Sequence, residues 1–410
     1  MIVRARFVVT MDGPPIENGA VAISEDRIID VGTFADVEKH SPGEVLDLGE
    51  YALLPGLINA HCHLDYTCLR GKIPRPDSFA KWIGAINAEK AKLAGDDYIK
   101  SINAGFAEAR SYGTTTIANL VAFPELVAEI DEPIRTWWFA ELIDVREPDR
   151  ASEIVDRAIG SLKAAKNWGL APHALFTASA NLFRRSEEVS RAENISLTTH
   201  LAESAEEMSM FGRASGPLYK FMKEIGRDMD DCGSTTPLSV FLKLLGALSG
   251  RALPNNDRTW IVAHLNGLTE ADLNLLKALG NRFHLVHCPR SHEYFQHSTF
   301  EYKKLRNLGF NICLGTDSLA SNDDLSLFGE MRAFRKNHSG VFPEDIVAMA
   351  TVNPAKALGK PHVLGRIRAN YFADMVAIPF EDSRESLYEA LSSYDGVIGC
   401  LMIGGQAAKL

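Results

Sequence analysis

Apolar residues along this chain come in two textures. Over 1–54 they form strand-length runs broken by turns: Ala20-Val-Ala-Ile23, a turn at Glu25-Asp26, then Ile28-Ile-Asp-Val31. The C-terminal stretch reads the same way, with Asp374-Met-Val-Ala-Ile378, Val397 to Ile403 and the turn pair Gly404-Gly405. Between them the pattern alternates. Strand-like runs recur at about 58–63, 114–120, 136–142, 170–174, 195–201, 260–265, 283–288 and 312–317. Amphipathic helical segments lie between them at Phe79–Leu93, Tyr98–Ser111, Ala151–Asn167, Glu270–Leu279 and Leu325–Lys336. Eight strands alternating with helices predict an α/β fold, a (β/α)8 TIM-like barrel over 55–359. The two ends predict a small composite β-sandwich domain from 1–54 plus 360–410. An open doubly wound sheet fits less well, because no Gly-x-Gly-x-x-Gly turn follows an early strand. The long gap 204–258 is expected to carry extra helices and lid-like loops over the active face.

A parallel strand buried on both faces has no use for polar residues, and the open chemistry of a barrel lies at the C-terminal ends of its strands. Six of the eight runs end in something polar. The first ends in His61-Cys62-His63, with two histidines on one face of a strand. The others end in His173, in His200 with Glu203, in His264, in His287 and in Asp317. Each has a plain explanation when taken singly. Asp317 could cap the next helix, Glu203 could open one, and His284 and His287 read as packing residues. His40, His338 and His362 read as exposed. Convergence of so many strand ends on one mouth is what points to a site.

Composition excludes more than it assigns. At 410 residues with 46% hydrophobic and 23% charged positions, the chain has the make-up of a globular protein of one large and one small domain. A net charge of −10 argues against a general nucleic-acid or membrane-surface binder. Six scattered cysteines without a Cys-x-x-Cys pair suggest free thiols in a reducing compartment. No secretory h-region and no 18-residue apolar run is present, so a cytoplasmic protein is expected. Familiar catalytic motifs are missing: no P-loop, no Gly-x-Ser-x-Gly, no Pro-Cys-x-x-Cys. His292-Glu-Tyr-Phe-Gln-His297 places its second histidine one residue too far along for a zinc protease helix.

Taken together, Pro55-Gly-Leu-Ile-Asn-Ala-His-Cys-His63, Thr199-His-Leu-Ala-Glu203, Val262-Ala-His-Leu265, His287-Cys-Pro-Arg-Ser291 and Leu314-Gly-Thr-Asp-Ser318 resemble the amidohydrolase superfamily. Ala350-Thr-Val-Asn-Pro-Ala355, Gly365-Arg-Ile and Ala373-Asp374 resemble its return into the β-domain. The nearest look is to the mononuclear branch: S-adenosylhomocysteine, methylthioadenosine, aminodeoxyfutalosine and guanine deaminases, and triazine hydrolases. Arg70-Gly71 and Ser321-Asn322 share the nucleoside-deaminase look. The fourth strand ends in His173 with no lysine near, so the resemblance implies one metal rather than a lysine-bridged pair.

That resemblance implies His61, His63, His200 and Asp317 as ligands of one divalent ion, Zn²⁺ first, with Fe²⁺ also suited. It implies Glu203, His264 and Asp317 as catalytic groups. Glu89 fits by position, and His173 by type, the family's contacts to ribose. Arg146 and His292 are further candidates for touching substrate. The activity implied is hydrolytic deamination of an aminopurine nucleoside-like or related amino-heterocycle, giving the oxo product and ammonia. Cleavage of another C–X bond on a heterocycle (chloride or a cyclic amide) and a non-catalytic metal-binding barrel are the alternatives. Partners are expected to be a small-molecule substrate and, from the family, a second copy in a homodimer. Two departures bear on substrate: Pro172-His-Ala-Leu-Phe-Thr177 replaces Pro-His-x-Pro-Tyr-Thr, and Ser291-His292 replaces Ser-Asn.

Overall fold

A computed structural model describes residues 1–246, 260–280 and 283–408. The N-terminal part contributes β1 (Ile2–Val8), β2 (Ile16–Ser24), β3 (Arg27–Thr33), β4 (Val45–Asp47) and β5 (Tyr51–Pro55). Nine more strands follow: β6 (Leu57–His63), β7 (Thr114–Val121), β8 (Arg135–Leu142), β9 (Trp168–Pro172), β10 (Ser196–Leu201), β11 (Trp260–His264), β12 (Phe283–His287), β13 (Ile312–Leu314) and β14 (Asp317–Ser318). The chain ends with β15 (Met375–Pro379), β16 (Cys400–Ile403) and β17 (Gln406–Ala407).

β6 to β14 form one curled sheet in the order β13-β12-β11-β10-β9-β8-β7-β6-β14, with every neighbouring pair parallel. β6, β7, β11 and β12 are buried along their whole length, as strands covered on both faces must be. The run expected as one strand at 312–317 is split at Gly315-Thr316. Gly315 donates its N–H to the carbonyl of His287 at 3.0 Å and Thr316 donates to that of His61 at 3.0 Å, one at each edge of the sheet.

The terminal strands make a separate eight-stranded sheet ordered β17-β16-β15-β5-β1-β2-β3, with β4 also on β1. The expected strand from Val397 begins only at Cys400; Val397 is 82% exposed and has no partner strand to reward an extended run. Gly404 and Gly405 turn the chain with φ of +56° and +77°, where glycine carries no Cβ penalty. The two sheets are joined by Arg135, whose guanidinium lies 2.5 Å from Asp374 and stacks 3.4 Å from the Phe372 ring centroid.

The expected helices occur at Phe79–Lys90, Gly95–Ser111, Ala151–Leu162, Glu270–Leu279 and Leu327–Asn337. The third stops five residues short of Asn167, after its last buried residue Leu162, because the chain must reverse to enter β9. A further helix, Ala180–Glu193, opens on Ser179, whose Oγ accepts from Leu182 N at 3.1 Å. The 204–258 stretch contains helices Ala205–Arg213, Pro217–Glu224 and Pro237–Leu244; its remainder at 247–258 lies outside the described residues. His338 is half-buried against Phe334, not exposed. No helix among the described residues is long and apolar enough to cross a membrane.

Candidate metal centre and cavity

The site begins with a bulge. On β6, Ile58 and Ala60 pack in an inner cluster with Ala118, Leu120 and Phe139, while Cys62 packs in the outer core. Between Asn59 and Cys62 the register with β7 shifts, so that three steps on β6 match two on β7. One extra residue reverses the parity of the strand. His61 and His63 therefore turn to the inner face that Ile58 and Ala60 occupy lower on the strand, with ring centroids 5.1 Å apart. Asn59 holds the bulge: its Oδ1 accepts from the main-chain N–H of His61 at 3.3 Å and of Thr316 at 3.2 Å.

His61, His63, His200 and Asp317 each offer an atom within 4.8 Å of the others, and all four are buried. The Nε2 atoms of His63 and His200 face each other at 3.3 Å. His200 Nδ1 donates to the carbonyl of His173 at 2.8 Å, which leaves Nε2 with a lone pair. Both ring nitrogens of His61 are buried without a hydrogen-bond partner. Lone pairs and orphaned nitrogens converging beside a carboxylate are the donor set of a divalent cation site.

Asp317 is anchored by Ser291, whose Oγ donates to Oδ2 at 2.7 Å. Burial works against its charge, but the facing His61, His264 and His63 outweigh that and hold the carboxyl well below its ordinary range. Asp317 also belongs to a second group with Glu203 and His264. His264 Nε2 lies 3.8 Å from Glu203 Oε2 and has no hydrogen-bond partner. Burial, with help from Asp317 and Glu207, pushes Glu203 well up. Burial also holds His264 well below the usual imidazole value, in spite of Asp317.

Above these groups opens a cavity of about 820 Å³. Phe79, Trp82, Ile86, Phe176 and Phe221 give it apolar walls. Helix Pro217–Glu224 covers one side, and Glu206 ties down the facing helix by accepting from Phe79 N at 2.9 Å and Ala80 N at 3.1 Å.

His173 and Arg146 line this cavity; Glu89 and His292 do not. The cavity face of helix Phe79–Lys90 runs through 79, 82, 83, 86, 87 and 90, a helical stripe that leaves Glu89 to one side. Glu89 instead pairs with Lys92 at 2.5 Å. His292 faces away from the cavity and shares a 3.1 Å hydrogen bond with Asn266 Oδ1.

Glu141 is the site residue that the strand-end argument passed over. Its side chain is 5% exposed and its Oε1 lies 3.7 Å from His63 Nδ1 and 3.8 Å from His173 Nε2. Burial raises its carboxyl, while Lys90 and His61 oppose that rise. The signal was present: Glu141 is the only charged residue in the run Thr136-Trp-Trp-Phe-Ala-Glu-Leu142. Lys90, its ammonium 4.7 Å from the Tyr66 ring centroid, completes that corner.

The amidohydrolase family model matches residues 52–408. The chain belongs to the amidohydrolase family. Among relatives, this amidohydrolase is 28% identical over 379 residues to a 5-methylthioadenosine/S-adenosylhomocysteine deaminase of Pyrococcus furiosus, covering 87% of this chain and 82% of that one. Among solved structures it is similar to Helicobacter pylori aminofutalosine deaminase in complex with methylthio-coformycin, with a TM-score of 0.87 at 20% identity and full coverage of both chains (100% and 100%). It is also similar to an atrazine chlorohydrolase of Arthrobacter aurescens complexed with zinc, with a TM-score of 0.79 at 19% identity, covering 99% of this chain and 94% of that one. These likenesses establish an amidohydrolase-type α/β fold.

Proposed function

We propose that this amidohydrolase is a metal-dependent hydrolytic deaminase of an aminopurine nucleoside or a closely related amino-heterocycle. One observation carries the reading: Asp317 is shared between a cation-binding group and a buried acid–base pair, Glu203 and His264, at the floor of an aromatic-walled cavity. The names of the curated relatives support the purine substrate class. His61, His63, His200 and Asp317 would hold one divalent ion, with zinc the first choice and iron(II) suited to the same ligands. When bound, the ion supplies hydroxide from water near neutral pH.

The chain's own groups do the rest. Glu203, kept protonated by burial, donates to the ring nitrogen beside the amine-bearing carbon. That donation takes up the charge that builds as the ring loses aromaticity. His264, kept neutral, accepts a proton and passes it to the departing ammonia. Phe79, Trp82, Phe176 and Phe221 exclude water and offer faces for a planar ring. His173, Arg146, Glu141 and Lys90 are the proposed contacts to the rest of the substrate.

The same reading includes a closed eight-stranded barrel over 55–359, in which β13 and β14 are the two halves of the closing strand. The hydrogen bonds from Gly315 and Thr316 to opposite edges of the sheet support it. It also sets a composite terminal domain at 1–54 plus 360–410, and six unpaired thiols support a cytoplasmic setting.

The test is Glu203→Gln, assayed for ammonia release from 5-methylthioadenosine, S-adenosylhomocysteine, adenosine and guanine. The variant is expected to keep its zinc and lose about a hundredfold or more in kcat, as removal of a general acid does. Wild-type turnover in that variant would refute the assignment.

A further inference from the structure

Glu207 takes no part in the chemistry above, does not line the cavity, and has no exposed surface. It lies in the first turn of helix Ala205–Arg213, where Ser204 Oγ accepts from its main-chain N–H at 3.1 Å. In a reciprocal cap a glutamate at this position bonds back to the N–H of the capping residue itself. Glu207 reaches further. Its Oε1 accepts from Ala202 N at 3.0 Å and its Oε2 from Glu203 N at 2.8 Å.

Those two N–H groups belong to a turn that an L residue resists. Ala202 has φ of +48°, the left-handed region in which its Cβ crowds the following carbonyl. The same turn is tied on its other side. Ala202 O accepts from Gly267 N at 2.8 Å, and Glu203 O accepts from Asn266 Nδ2 at 3.0 Å. Asn266 is in turn held by His292. Both main-chain ends of Glu203 are therefore fixed from outside the cavity.

We propose that Glu207 is a positioning residue: its carboxylate clamps the left-handed turn at Ala202 and so sets Glu203 against His264. The inference rests on the deaminase reading above. A carboxylate suits the task because both of its oxygens accept, whereas a glutamine would turn an NH₂ toward one of the two N–H donors. Small displacements of a catalytic group are costly, on the order of a hundredfold for 1 Å.

The test uses the full, zinc-loaded chain carrying Glu207→Gln or Glu207→Asp. Ammonia release is measured on whichever of the four compounds above turns over fastest, with zinc content per chain. Each variant is expected to lose about tenfold or more in kcat, with KM within about twofold and zinc unchanged. Adding Ala202→Gly to Glu207→Gln should restore about threefold or more, because glycine adopts this φ without help. A purely structural role would lower the yield of folded protein but leave kcat per zinc-loaded chain untouched. That result, a parallel rise in KM with kcat intact, or no recovery from Ala202→Gly would overturn the proposal. If Glu207→Gln fails to fold, Glu207→Asp carries the same kcat and KM readout. Glu203→Gln run alongside separates the two claims: full turnover there removes the deaminase reading, while its loss beside full turnover in the Glu207 variants removes only the clamp.

Discussion

Gly315 joins β13 to β14, two residues before Asp317, and it is where backbone crowding and the cation site meet. A Cβ added there would stand 2.7 Å from the carbonyl oxygen of His61, 2.9 Å from His61 Cβ and 2.9 Å from Val286 Cγ1. Two of these three atoms belong to a residue fixed in a strand, so no flexible side chain can swing aside. Gly315→Ala must therefore push His61 or carry Asp317 away, and either motion spreads the four donors. Overpacking of this kind costs about 1–3 kcal/mol of stability. Loss of support around a ligand typically weakens metal binding by about 10–100-fold, or roughly 1.4–2.8 kcal/mol. Zinc affinity would be read by competition with a chromophoric chelator, and stability by urea unfolding of the zinc-stripped chain. Gly32→Ala is the matched control: its Cβ would meet nothing nearer than Val37 Cγ2 at 3.7 Å, an ordinary contact. If Gly315→Ala bound zinc and unfolded like wild type, the close approach of that glycine to His61 would not be what holds the ligands in place.

Two further outcomes follow from buried charge. Arg135→Ala leaves Asp374, with a side chain 5% exposed, without its guanidinium, and should cost about 3 kcal/mol in urea unfolding. Arg27→Ala, from a side chain 39% exposed, should cost less than about 1 kcal/mol; equal effects would contradict the ranking. The second outcome concerns pH. Burial raises Glu330 to about 8, above its unfolded value of 4.5, so the fold favours its protonated form. Its contribution is present at low pH and is lost as pH climbs toward 8. Burial lowers His284 and His292 to about 4 from 6.5, so their contribution is complete above pH 6.5 and is lost as pH falls toward 4. The zinc-stripped chain should therefore unfold at a progressively lower temperature from pH 6.5 to 8.5 by calorimetry; a flat or rising midpoint would contradict this.

Strand ends were the legible part of the site. An apolar run that closes on a polar residue needs no three-dimensional information to stand out, and His61, His63, His200, Glu203, His264 and Asp317 fall in two groups that share Asp317, four of them lining the cavity. Glu141 obeys the same rule and was reachable by it. What stayed hidden depends on the phase and direction of side chains. The stripe of helix Phe79–Lys90 that faces the cavity is set by how it packs against Pro217–Glu224, and that packing chose Asn87 and Lys90 over Glu89. His292 lies close to the site in sequence terms but points at Asn266, so its part is to support the Glu203 turn. The bulge between Asn59 and Cys62 and the break at Gly315-Thr316 are irregularities of one and two residues, which periodicity cannot resolve.

The most direct test of the central claim is a zinc titration of the chelator-stripped chain, with ammonia release from the four aminopurine compounds followed at each step. Ammonia formation should be absent at the start, rise in proportion to added zinc, and level off at one ion per chain. Turnover by the stripped chain, saturation only at two ions, or a zinc-saturated chain that frees no ammonia from any of the four would contradict a one-metal hydrolytic deaminase.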